Sequence, residues 1–211
     1  MRHALVLALL IFAACSRGDG RPAGEPEARA YTLSGFSRLA VGSNVAVTLR
    51  RGPFHVEAQS RDGDLSRLII ETRGDELSIS SQSMFTAGRS PTYAVTITAP
   101  TWTAMDVSAG AAVEGADLDL ADIAIDAATG ASLTLSGACD AATINIASSA
   151  AANLADLRCR AATVDASGGA SLAIYASETA RVTASTGAAI TVGGDPDLTS
   201  ETSSGGVIAA K

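Results

Sequence analysis

The amino-acid sequence predicts an all-β protein, a parallel β-helix or solenoid with coils of about 18–21 residues. Three observations predict it. The first is one motif written six times between Met105 and Lys211, a small residue followed three positions later by an apolar one. It reads Gly110-Ala111-Ala112-Val113, Gly130-Ala131-Ser132-Leu133, Ala151-Ala152-Asn153-Leu154, Gly169-Ala170-Ser171-Leu172, Gly187-Ala188-Ala189-Ile190 and Gly205-Gly206-Val207-Ile208, with spacings of 20, 21, 18, 18 and 18. The second is alternation of apolar and polar residues with period two, as in Ile123-Ala124-Ile125-Asp126, which is strand periodicity rather than the 3.6 of a helix. The third is composition: 47% apolar but only 4% aromatic, so the core is built of Val, Ile, Leu and Ala, which suit a narrow interior. Right-handedness is expected by analogy with most β-helices.

Stacking coils puts like residues in ladders. Five residues before the motif stand Met105, Ile125, Ile146, Val164, Val182 and Ser200; three after its first residue stand Val113, Leu133, Leu154, Leu172, Ile190 and Ile208. These are the predicted core ladders. Two before it stand Ser108, Ser149, Ser167, Ser185 and Ser203, with Ala128 interrupting. They predict corners, where Gly takes positive φ without strain.

The N-terminus reads as a lipoprotein signal peptide over residues 1–15. Met1-Arg2-His3 is a basic start, and Ala4 to Ala14 is an apolar run too short to span a bilayer. It ends in Phe12-Ala13-Ala14-Cys15, which resembles a bacterial lipobox, with Cys15 as the lipidated residue. By resemblance to other lipoproteins, Ser16 after the Cys implies the outer membrane. Residues 16–30, rich in Gly, Pro, Glu and Arg, form a flexible tether.

Residues 31–211 are read as a single β-helical domain, with irregular opening layers over 31–104 and regular coils over 105–211. Strands are expected at Val45 to Leu49, Phe54 to Ala58, Leu68 to Glu71, Leu77 to Ser80 and Tyr93 to Thr98, with a loop from Ser81 to Pro91. Pro100 ends the last strand. Arg73-Gly74-Asp75 spells a cell-adhesion tripeptide but is read as a hairpin turn.

The order of these pieces is similar to that of a known family. Phe36-x-x-Leu39-x-Val41-Gly42 leads to Asn44-Val45-x-Val47, then Gly74-x-x-Leu77-x-Ile79, then Val95-x-Ile97-x-x-Pro100, then Ser108-x-Gly110-Ala111. Together they resemble the head-GIN-domain family of autotransporter-adhesin-like envelope proteins. The resemblance covers roughly residues 31 to 205 and implies a β-helical fold and a cell-envelope location. It carries over no catalytic residue.

Charge narrows the function. The formal net charge is -7, and from Thr101 onward thirteen acidic side chains face four basic ones. Nucleic acid is therefore not an expected partner, because tracking phosphates needs a basic patch. Only His55 lies outside the signal segment, in an alternating strand, and no phosphate loop, nucleophile elbow or zinc spacing is present. No catalytic residue and no cofactor are expected.

Cys139 and Cys159 precede Ile144 and Val164 by five in matching words, so they share a column in adjacent coils. Their Cα atoms should lie within disulfide range, and the envelope is oxidising. A Cys139–Cys159 disulfide is expected; a buried pair of free thiols is the alternative. Asp106 and Asp126 should be column neighbours and are the candidates for a metal or an acid/base pair. Trp102, Tyr93 and Tyr175, with Phe85, are the aromatic candidates for stacking on sugars. These features support a non-catalytic envelope lipoprotein that presents an adhesive or ligand-binding surface to glycans or other envelope components. Two alternatives stand beside it: a polysaccharide-active enzyme on the same scaffold, and a structural protein that self-associates end to end through its thin last coil.

Overall fold

The structure, a computed structural model, describes residues 27–42, 45–60, 64–82 and 93–211. Cys15, residues 16–26 of the expected tether and most of the expected loop from Ser81 to Pro91, Phe85 included, lie outside the described residues. The last four residues expected in the tether, 27–30, instead pair with Glu57 to Ser60 as a strand of the sheet. The described chain is all strand, turn and bend, and forms a parallel β-solenoid of about 5 turns.

Seven shorter strands come first: β1 (Glu27–Tyr31), β2 (Arg38–Val41), β3 (Val45–Arg51), β4 (His55–Ser60), β5 (Leu68–Arg73), β6 (Glu76–Ser81) and β7 (Tyr93–Ala99). Then come β8 (Ala104–Val107) and four long strands, β9 (Ala112–Ala127), β10 (Ser132–Ile146), β11 (Ala151–Ala166) and β12 (Ser171–Ala184). β13 (Ala189–Gly193), β14 (Asp197–Thr202) and β15 (Val207–Ala210) follow. The long strands bend around the solenoid, so each contributes to more than one face. One face runs β1-β4-β7-β3-β9-β10-β11-β12-β13-β15. On another, β5 pairs with β6, β6 with β2, β2 with β8, β8 with the far half of β9, and β12 with β14.

The pairing order departs from chain order at the start. β2 lies between β6 and β8, and β3 between β7 and β9, all in parallel. The first coil in sequence is thus an interior rung. Antiparallel strands lie beyond it: β4 on β7, β1 on β4 and β5 on β6. Arg73 faces Glu76 across a two-residue hairpin in which Gly74 has φ 64°. Positive φ at the first central position favours Gly there, so the Arg-Gly-Asp triplet is a hairpin turn, as expected.

Inward residues alternate with outward ones, as period two requires. One inner ladder runs Val95, Val47, Val113, Leu133, Ala152, Leu172, Ile190 and Ile208. Another runs Leu77, Leu39, Met105, Ile125, Ile144, Val164, Val182 and Ser200. Apart from the end-coil residues Ile208 and Ser200, these side chains are buried. Each large one contributes roughly 1.5–3 kcal/mol by leaving water.

The ladders correct the sequence reading in one coil. Leu133 pairs with Ala152 rather than Leu154, and Val164 with Ile144 rather than Ile146. The third motif therefore starts at Ser149, two residues before Ala151, and the Ser column at that corner is occupied by Ala147. A slip of two residues keeps every side chain on its own face, so alternation could not reveal it.

The corners are tight turns with two successive left-handed residues. Ala109 and Gly110 have φ 51° and 71°, Thr129 and Gly130 53° and 71°, and Ser148 and Ser149 53° and 61°. Each turn is closed by a bond from the fourth N–H to the first carbonyl, as in Ala111 to Ser108 at 3.0 Å and Ala150 to Ala147 at 3.1 Å. This is type I′ geometry, which fits the twist of the flanking strands. The turns also stack: the Gly110 N–H donates to the Thr129 carbonyl at 3.0 Å and the Gly130 N–H to the Ser148 carbonyl at 3.1 Å. Corner backbone thus joins the ladder instead of interrupting it.

Candidate functional site

Every outward column is a candidate surface, because parallel register repeats a side chain every ~4.8 Å. Asp106 pairs in register with Asp126, which pairs with Asn145, which pairs with Asp165. The Asn145 amide donates to Asp126 Oδ1 at 2.9 Å. Desolvation against its neighbours raises the Asp106 carboxyl above its ordinary range, and the Asp126 and Glu76 carboxylates add to this. The structure therefore brings the two predicted acids together. Among the described residues, no cluster of three His, Cys, Asp or Glu side chains is placed to hold a metal. Ca²⁺ takes six to eight oxygen ligands, which two side chains do not supply.

The segment of β9 to β12 between the two faces carries a denser charge pattern. Arg51 on β3 meets Asp119 at 3.0 Å. Arg160 lies between Asp140, at 3.6 Å, and Glu178, whose two oxygens accept from Nε at 2.9 Å and from a terminal nitrogen at 3.2 Å. That bidentate pair holds the Glu178 carboxyl below its usual range. The Arg158 guanidinium lies 4.2 Å from the centre of the Tyr175 ring, its partner in register. Such a contact stabilises by roughly 0.5–1 kcal/mol at an exposed site. These pairs were missed in the sequence. For Arg158 and Arg160 the available signal was separation from their partners by 17, 18 and 20 residues, close to the coil length; Arg51 and Asp119, 68 residues apart, carried no such signal.

The aromatic candidates divide. Trp102 and Tyr93 are each 1% exposed. Trp102 packs 5.7 Å from Phe36, which meets the ring of Phe54 at 4.8 Å. Rings enclosed in the core are not available to stack on a surface sugar, because the opening layers use aromatics to fill volume that the coils fill with aliphatic ladders. Tyr175 is half-buried and partly covered by Arg158. His55 is exposed on β4 with its Nε2 3.7 Å from a Glu57 oxygen, and belongs to no Ser-His-Asp arrangement among the described residues.

Cys139 and Cys159 are register partners with Cα atoms 4.4 Å apart, and a disulfide joins them. The bond is buried, in a column that runs Leu120, Cys139, Cys159 and Ala176. It staples two successive coils.

The described residues thus form a regular solenoid with an internal staple and long outward columns. The chain belongs to the family described as "putative auto-transporter adhesin, head GIN domain", whose profile matches residues 35–196. The fold is shared with a putative adhesin from Bacteroides fragilis, 14% identical, covering 90% of this chain and 98% of that one with a TM-score of 0.68. It is also shared with a putative lipid binding protein from Parabacteroides distasonis, 15% identical, covering 89% and 97% with a TM-score of 0.54. No curated protein matches this sequence.

Proposed function

We propose that this protein is a non-catalytic lipoprotein of the bacterial cell envelope, held through a lipid on Cys15 at the outer membrane, whose rigid solenoid presents an adhesive or ligand-binding surface. Its ligands are glycans or other envelope components. Membership of an adhesin-like family carries the reading. The regular outward columns support it, since they offer repeating polar groups to a repeating ligand. The lipobox-like Phe12-Ala13-Ala14-Cys15 supports the anchor.

The test is retention and cleavage of a panel of acidic and neutral polysaccharides, with and without Ca²⁺. Retention without new chain ends is expected. New ends that vanish in Asp126→Ala would overturn the reading in favour of a polysaccharide-active enzyme built on Asp106 and Asp126.

A second reading is end-to-end self-association. Among the described residues no strand covers the outer edges of β14 and β15, and Val207 is 60% exposed there. An open edge with apolar side chains pairs readily with another strand. A size that grows with concentration in light scattering would support it; a constant monomer would exclude it.

A further inference from the structure

A cleft opens where two neighbouring rungs part company. β3 and β9 pair only from residues 46–49 to 112–115. Beyond that point β3 runs straight on, paired to β7 through Arg51. β9 instead turns away at Ala116 and Asp117, where Asp117 has φ 54°. The divergence leaves an open cleft of about 660 Å³, lined by Thr48, Arg50, Arg51, Glu114, Asp117 and Thr134 among others. Gly115 in its floor admits no larger side chain without displacement, since a Cβ there would lie 3.0 Å from Leu118 and 3.1 Å from Leu135.

The charges in this cleft are unequally satisfied. Arg51 is tied to Asp119. Arg50 is exposed and makes no side-chain hydrogen bond or ion pair among the described residues. The cleft therefore holds one uncommitted guanidinium, two carboxylates and the hydroxyls of Thr48 and Thr134. A polyanion is disfavoured by Glu114 and Asp117. A ligand joining one carboxylate to several neighbouring hydroxyls matches every group: the carboxylate takes the bidentate fork of Arg50, and the hydroxyls donate to Glu114 and Asp117.

We infer that this cleft is a binding site for a carboxylated sugar, a uronic acid residue, anchored by Arg50. The inference rests on the glycan-binding reading above and names its site and ligand class. The open side of the cleft accepts the residue as a free sugar or as an isolated acidic unit among neutral sugars of a chain.

The experiment is an NMR titration of the protein with D-glucuronate and D-galacturonate, against glucose, galactose, acetate and glycylglycine. The uronates are expected to shift the amide signals of Thr48, Arg50, Glu114 and Asp117. Neutral sugars, acetate and the dipeptide should act at least tenfold more weakly. Arg50→Ala should reduce uronate affinity tenfold or more with an unchanged melting temperature, and Arg50→Lys should restore only part, because an ammonium lacks the fork. Shifts that are absent or lie elsewhere, that the controls reproduce, or that survive Arg50→Ala would overturn the assignment. Retention of acidic polysaccharides by the wild type and by Arg50→Ala alike, with no Arg50-dependent uronate shift, would discard the cleft while leaving glycan binding intact. Uronate binding at the cleft with no polysaccharide retained would uphold the cleft and remove the broader reading.

Discussion

Removing the Cys139–Cys159 bond should cost this solenoid a large share of its stability. The bond closes a loop with a sequence separation of 20, one full coil. Loop-closure entropy for a loop of that size amounts to about 3 kcal/mol at 25 °C. The variant that isolates this quantity is Cys139→Ala with Cys159→Ala. Alanine already occupies the next position of the column at Ala176, so the interior accepts it. The serine pair would confound the result, since each buried hydroxyl without a partner costs roughly 1–3 kcal/mol more. In urea, with m of about 2–3 kcal/mol/M, the midpoint should fall by ~1 M or more. Wild-type protein in reductant should move the same way, and wild-type protein unfolded without reductant should expose no thiol from this pair. A double-alanine midpoint within ~0.2 M of wild type would refute the reasoning, because the staple would then be constraining nothing that unfolds.

Two further outcomes follow from the corners and the acid column. Thr129 and Thr186 are β-branched residues at φ 53° and 50°, a region costing about 1–2 kcal/mol for an ordinary L-residue and much better tolerated by Asn. Thr129→Asn and Thr186→Asn should each raise the melting temperature by ~1–4 °C, and a fall in both would show that the threonines make compensating contacts. Asp106 holds its proton more tightly in the folded chain than in the unfolded one. Its contribution is therefore most favourable at acid pH and is lost as pH rises through the raised value. Asp106→Asn should raise the melting temperature at pH 7 by ~1–2 °C and change it little near pH 3; a gain at acid pH instead would reverse the sign and reject the argument.

The coils were legible because a two-residue alternation and a fixed corner repeat together. The Cys pair was found because matching words around it, with Ala-Ala-Thr in common, set the register without reference to the motif. The same motif misplaced Ala151 and Leu154, since Ser149 stands at the corner where the other coils have Gly, and Ala151-Ala152-Asn153-Leu154 repeats the small-to-apolar step two residues later on the same face. The interior position of β2 and β3 left no trace in the sequence: each strand alternates identically whether one or both of its edges are bonded. Trp102 and Tyr93 looked like ligand platforms because aromatics are scarce here, and scarcity says nothing about depth. The Arg50 cleft could not be read at all, since it arises where paired strands diverge.

The interior placement of the first coil has a mechanical meaning. A pull on the N-terminal side of β1 can peel that strand from β4, its one neighbour in the sheet among the described residues. The next strand along the chain, β2, is bonded on both edges, to β6 and to β8. Unravelling from that end must therefore extract a rung from inside the pile rather than lift one off the top. Load arriving through the N-terminal segment meets a latch after five residues of β1, and the pile beyond it stays closed under forces that would strip a sequentially wound coil.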